Sequence, residues 1–185
     1  MRSSCRSIVF FLVLTACSGG GDQWQEVPGT SNAGFSLKMP IQAGMKQDAI
    51  QLDGQAIVTN DAICIDSAVV FVSSHFAIPE RVASMEHGDR TEYVWNAVKQ
   101  WRNWQQATPI NDLPEPYTGS INDLYNGWLG FPDGTRMAFL LHVNDSMGIM
   151  LNAGVPGQFW GTPRQARVEK YFNSFEIEDD RTARL

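Results

Sequence analysis

Three strand-length apolar runs, each closed by a turn signal, constrain the second half of this chain more than any other feature. "YNGWLGF" (125–131) leads into Pro132-Asp133-Gly134, "RMAFLLHV" (136–143) into Asn144-Asp145, and "SMGIMLNAG" (146–154) into Val155-Pro156. Parallel strands need a crossover of a dozen residues or more, whereas antiparallel neighbours need only a tight turn. The spacing therefore predicts a hairpin extended into a three-stranded antiparallel meander.

The first half repeats the pattern more loosely. "GFSLKMP" puts Phe35, Leu37 and Met39 on one face and stops at Pro40, the alternation of a half-buried strand. Asp53-Gly54 lies between the apolar runs of "AIQLDGQAIVT", a strong hairpin signal. "AICIDSAVVFVSS" is rich in β-branched residues and predicts one or two buried strands, broken near Asp66-Ser67.

Between the halves the period changes. Pro79 suits a helix's first turn, so Glu80 to His87 is expected as a short helix with Gly88 at its C′ position. A second helix is expected from Arg90 to Gln106, opened by Asp89 and Glu92 at capping-box spacing. On a wheel of 100° per residue from Tyr93, Trp104, Ala97, Trp101, Val94 and Val98 fall between about 20° and about 140°. That arc is expected to face the core, whereas Trp95 falls near 200° and is expected outside it. Ala107 to Gly119 carries Pro109, Pro114 and Pro116 and is expected as a long irregular loop. Thr162-Pro163-Arg164-Gln165 predicts a helix start with Thr162 as cap. That helix presents Val168, Tyr171 and Phe172, and a short strand follows at Phe175 and Ile177.

The N-terminus reads as an address. Arg2 and Arg6 precede the apolar run Ile8 to Leu14, which is shorter than the roughly 20 residues a spanning helix needs. It fits a secretory signal. The run ends in Leu14-Thr15-Ala16-Cys17, which resembles the lipobox of bacterial lipoproteins. The resemblance implies cleavage before Cys17, a diacylglycerol on its thiol, and a periplasm-facing protein. Ser18 follows the cysteine, where an aspartate would favour retention in the inner membrane of enteric bacteria; the outer membrane is therefore expected. Residues 1–16 are read as the signal, 17–26 as a lipidated Gly-rich tether, 27–178 as one domain and 179–185 as a charged tail. With the signal gone and Cys17 lipidated, Cys64 is the remaining thiol. It is expected to pack as a small hydrophobe.

Charge narrows the partners. Removing Arg2 and Arg6 leaves 12 basic against 20 acidic side chains, a net charge of −8. Such a chain repels phosphate backbones, so nucleic acid is not an expected partner. No G-x-S-x-G, P-loop, HExxH or EF-hand pattern occurs. His75, His87 and His142 are scattered, and His87 with Glu86 and Asp89 is the nearest approach to a metal set. No metal or cofactor is expected. Asp61 and Asp66, and likewise Asp112 and Glu115, are read as solvated charges. Phe159 and Trp160, in a loop between Gly157 and Gly161, are either a tucked plug or a presented pair.

The strand order from Gly127, the terminal helix and the closing "KYFNSFEI" resemble the PsbP-like fold, which includes the DcrB-like bacterial lipoproteins. The resemblance runs from about Gly34 to Ile177 and rests most on Phe172, Ser174 and Phe175. It implies a single α+β domain, an antiparallel sheet sandwiched by helices, and protein binding rather than catalysis. The expectation is a non-enzymatic, lipid-anchored protein with a protein partner, either an immunity protein against a secreted (type VI) toxin or an envelope adaptor. Trp95, Phe159 and Trp160 are the expected partner contacts. The alternative is a periplasmic hydrolase with a histidine-containing site.

Overall fold

The computed structural model describes residues 24–119, 121 and 124–177. The signal, Cys17, most of the tether and the tail lie outside these residues. Short strands β1 (Gln25–Glu26), β2 (Phe35–Ser36) and β3 (Lys38–Met39) open the described chain. Then come β4 (Gly44–Leu52), β5 (Gln55–Asp66) and β6 (Val69–Ala77), followed by helices α1 (Glu80–Ala83) and α2 (His87–Trp101). Strands β7 (Thr108–Ile110), β8 (Leu124–Gly130), β9 (Arg136–Val143) and β10 (Met147–Val155) follow, and α3 (Thr162–Phe172) and β11 (Glu176–Ile177) close the fold.

Seven strands form one antiparallel sheet in the order β4-β5-β6-β10-β9-β8-β7. It consists of two meanders, β4-β5-β6 and β7-β8-β9-β10, joined where β10 pairs with β6, with Met150 opposite Ser74. The predicted meander is β8-β9-β10. Asp53 and Gly54 both have positive φ at the β4–β5 turn, as the Asp-Gly pair requires. The break at Asp66-Ser67 is a second two-residue turn, in which Ser67 and Ala68 also take positive φ.

Alternation along the strands sends side chains to two separate cores. One face buries Cys64, Phe71, Leu140, Ile149 and Leu151 with Val168, Tyr171 and Phe172 of α3. Phe35, Leu37 and Met39 join that core, as their alternation predicted. The other face buries Phe139, Leu141 and Met150 with Val94, Trp95 and Val98 of α2. Strands β9 and β10 lie between the cores and are apolar on both sides. Helix cover is partial: α3 shares its face with the N-terminal strand pairs β1–β3 and β2–β11.

Several boundaries differ from expectation. Gln25 and Glu26 pair with β3 and Trp24 packs edge-on against Phe71 at 5.9 Å, so the folded part begins before Val27. Helix α1 ends at Ala83, and Gly88 lies in the first turn of α2 rather than capping α1. Gly161, not Thr162, precedes α3, and its carbonyl accepts from the N–H groups of Arg164 and Gln165. The proline loop starts as edge strand β7 and is tied down where Trp128 Nε1 donates to the Pro114 carbonyl at 2.7 Å.

Helix α2 ends at Trp101, not Gln106. Asn103 takes the left-handed conformation, φ 59°. Its N–H donates to Gln100 and that of Trp104 to the Lys99 carbonyl at 2.8 Å. These are the two bonds of a Schellman motif, and they turn Trp104 back beside Trp95.

Candidate functional site

Shortening α2 changes which face it buries. Val94 and Val98 are fully buried and Trp95 is 7 % exposed, whereas Trp101 is only half-buried. The core arc thus runs from Trp101 near 80° to Trp95 near 200° and centres on Val98. The expectation that Trp95 lies outside the core is wrong. It arose from placing Trp104 on the helical wheel, although Trp104 lies beyond the helix.

Trp95 stacks on Phe139 of β9, with centroids 4.5 Å apart and planes at 23°. Tyr125, at the start of β8, meets the Trp95 ring edge-on at 5.2 Å, and Trp104 lies at 6.2 Å. Gly127 faces Phe139 across the β8–β9 pair, and a Cβ there would stand 3.4 Å from the Phe139 ring. Tyr125 itself stays 44 % exposed.

Trp95 and Tyr125 floor a groove of about 540 Å³ between α2 and the start of β8. Its lining includes His87, Gly88, Thr91, Glu92, Asn96, Lys99 and Leu124 as well as Trp95 and Tyr125. A second hollow of about 400 Å³ shares Asn96 and Lys99 and continues past Gln100 to Trp104 and Gln105. The two form a trough along one flank of α2, with aromatic floor and amide-bearing rim. Lys99 Nζ lies 5.7 Å from the Trp95 ring centroid, a cation–π contact. The Thr91 hydroxyl donates to the His87 carbonyl at 3.0 Å, so it serves the helix. The trough has the make-up of a site that grips an apolar side chain and hydrogen-bonds the backbone around it.

Phe159 and Trp160 lie elsewhere. They belong to the face of α3, at the end of the sheet where β10 stops. Trp160 meets Trp128 edge-on at 5.3 Å and packs against the α3-side core, whereas Phe159 is 40 % exposed. One residue of the pair is thus tucked and the other presented. The structure does not bring either together with Trp95.

The histidines are also apart. His87 rims the trough. His75 and His142 share the α3 face with Ile149 between them in the strand register. His75 stands edge-on to Phe35 at 5.7 Å, and burial lowers its pKa against a smaller opposing pull from Asp61. Among the described residues, no three His, Cys, Asp or Glu side chains group as a metal site. Burial pushes the Cys64 thiol up to about 11, so it is an inert packing residue.

Asp61 and Asp66 are not the solvated charges expected. Asp61 is fully buried beneath α2, where Arg102 Nη2 reaches its Oδ2 at 3.0 Å and the Ser74 hydroxyl at 2.6 Å. Burial is possible because the residue that caps α2 supplies the counter-charge. Asp66 pairs with Arg167 of α3.

Sequence reasoning missed Tyr125 and Lys99. The available signal was alternation in "YNGWLGF", which places Tyr125 on the face of Gly127 and Leu129, opposite that of Trp128. Comparison with protein-family models and with curated proteins finds no match for this chain.

Proposed function

We propose that this chain is a non-enzymatic binding protein, anchored by lipid on Cys17 at the periplasmic side of a bacterial membrane. The outer membrane is the favoured location, from Ser18 after the cysteine. The PsbP-like assignment belongs to the same proposal, supported by the antiparallel sheet and by α3 ending in Phe172, Ser174 and Phe175. Among the described residues, no helix is long and apolar enough to cross a membrane.

The partner is a protein: a toxin neutralised in the periplasm, or an envelope component that the chain adapts. The observation that carries this reading is the half-exposed Tyr125 beside Trp95 at the trough under α2. Tyr and Trp dominate binding hot spots because they bury large area at small entropic cost. Lys99, Glu92 and the amides around them supply orientation at the rim. Trp95 acts here as the buried support of Tyr125 rather than as a side chain that leaves the domain.

A photo-cross-linking residue at Asn96 or Tyr125 tests the reading in cells. The expected result is one dominant protein adduct from both positions and none from Gln158, which lies exposed in the loop after β10 at the other end of the strands. Adducts of equal strength from all three positions would remove the trough as the site.

A further inference from the structure

On the α3 face, at the end of the strands opposite Tyr125, aromatic rings and guanidinium groups are interleaved. Arg136 lies over the Trp160 ring at 4.9 Å, and Arg164 lies 5.8 Å from the centroid of the exposed Phe159. On the same sheet face, beyond the start of α3, Lys170 lies over Trp24 at 5.0 Å. Three of the cations, Arg164, Arg167 and Lys170, recur every third residue along α3. Of the acids nearby, Asp66 pairs with Arg167, whereas Asp133, which accepts from the Thr135 N–H at 2.9 Å, and Glu169, which accepts from Gln165 Nε2 at 3.0 Å, keep their charge. With Asp66 and Arg167 cancelling, this end sets Arg136 and Arg164 against aromatic rings in an otherwise acidic chain.

The end is also rigid. The loop after β10 rests on the β8–β9 turn backbone to backbone. A Cβ at Gly157 would stand 2.5 Å from the Gly134 carbonyl oxygen. Phe159 is therefore held outward by a fixed platform.

The described chain begins at Trp24, on this same face, and the proposed lipid sits on Cys17. Seven residues reach at most about 25 Å. A domain of this size is about 35–40 Å across. The anchor is therefore shorter than the domain it holds, and it keeps the Trp24 face next to the bilayer.

We propose that this end, built from Phe159, Trp160, Arg136 and Arg164, is a membrane-apposed surface that takes anionic phospholipid headgroups. Phe159 enters the interfacial layer, the guanidinium groups meet phosphates, and the stacked rings hold those groups in place. The proposal rests on the lipid anchor at Cys17. It gives the Tyr125 part of the trough an orientation, because Tyr125 starts β8 at the opposite end of the strands from Arg136 and so is held away from the bilayer.

The test uses the full chain, purified from membranes and reconstituted in vesicles of phosphatidylglycerol and phosphatidylethanolamine. An environment-sensitive label is placed at Gln158→Cys or, as control, at Gln55→Cys. The mass of the Cys17 peptide reports the anchor separately. The expected result is strong quenching by brominated lipid at 158 and none at 55. Phosphatidylcholine vesicles, or the Arg136→Gln Arg164→Gln chain, should lower the quenching at 158 several-fold. A lipidated protein whose label at 158 stays unquenched overturns the membrane surface and leaves the anchor standing. A missing lipid overturns both. Shielding at 158 that requires an added envelope protein assigns the surface to a protein and overturns the proposal as well.

Discussion

Arg102 and Asp61 are 41 residues apart in sequence and 3.0 Å apart in space, the guanidinium donating to a carboxylate with no exposure. The pair joins the C-terminal end of α2 to the middle of β5, and so fixes the helix that carries the trough. Asp61 Oδ1 has no hydrogen-bond partner among the described residues. Removing the Arg102 counter-charge would strand a buried anion, a loss of about 3 to 5 kcal/mol. Arg102→Ala should therefore lower stability by about 3 kcal/mol, the low end of that range because Arg102 is 18 % exposed. The double change Asp61→Ala Arg102→Ala should recover much of that loss. Urea unfolding of the four chains in a double-mutant cycle measures both effects. A single-variant loss below about 1 kcal/mol would contradict this role.

Trp95→Ala should behave as a core deletion. Truncating a buried Trp costs about 3 to 5 kcal/mol, which for a domain of this length lowers Tm by roughly 10 °C. Tyr125→Ala, at a half-exposed ring, should lower Tm by no more than a few degrees. Thermal unfolding followed by circular dichroism separates the two, and equal Tm values for Trp95→Ala and the native chain would place Trp95 outside the core after all.

Ala68 has φ 65°, a conformation that costs an L-residue about 1–2 kcal/mol relative to right-handed backbone. Glycine removes that cost and loses part of the gain to extra freedom in the unfolded chain. Ala68→Gly is expected to stabilise the fold by about 0.5 to 1 kcal/mol. A destabilised Ala68→Gly chain in urea would show that the turn is not strained.

His75 gives the fold a pH dependence of known sign. Burial depresses its folded pKa below the unfolded value of about 6.5. Between those two values the unfolded chain binds more protons, so stability falls as pH falls. The contribution is fully present above about pH 6.5 and is lost as pH drops through the folded pKa. Unfolding free energies at pH 7.5 and 5.5 should differ less in His75→Gln than in the native chain. An equal pH slope in both chains would assign the effect to other groups.

Local signals in the sequence located most of the sheet. The Asp53-Gly54 turn, the Phe35-Leu37-Met39 alternation and the β8-β9-β10 meander follow from spacing alone, because strands read period and turn chemistry over a few residues. The join of β6 to β10 was not legible, since it pairs segments some 70 residues apart with no local trace. The end of α2 was missed because Asn103 is a weaker left-handed cap signal than glycine. That one error moved the buried arc, so that Trp95 lies inside the core and Trp101 at its half-buried edge. Asp61 was misread because its counter-charge comes from Arg102, far along the chain. The trough depends on how α2 lies across β8, which no single segment encodes.

The proposed protein partner would bind at the trough through Tyr125 and Lys99. The most direct test is the affinity of the partner captured by the Asn96 cross-link, measured against the native chain, Tyr125→Ala and Lys99→Glu. Loss of a hot-spot tyrosine costs about 2 kcal/mol or more. Both variants are therefore expected to bind at least tenfold more weakly while unfolding within a few degrees of the native chain. Unchanged affinity in both well-folded variants, or substrate turnover by the native chain that disappears with His87→Ala, would contradict the account.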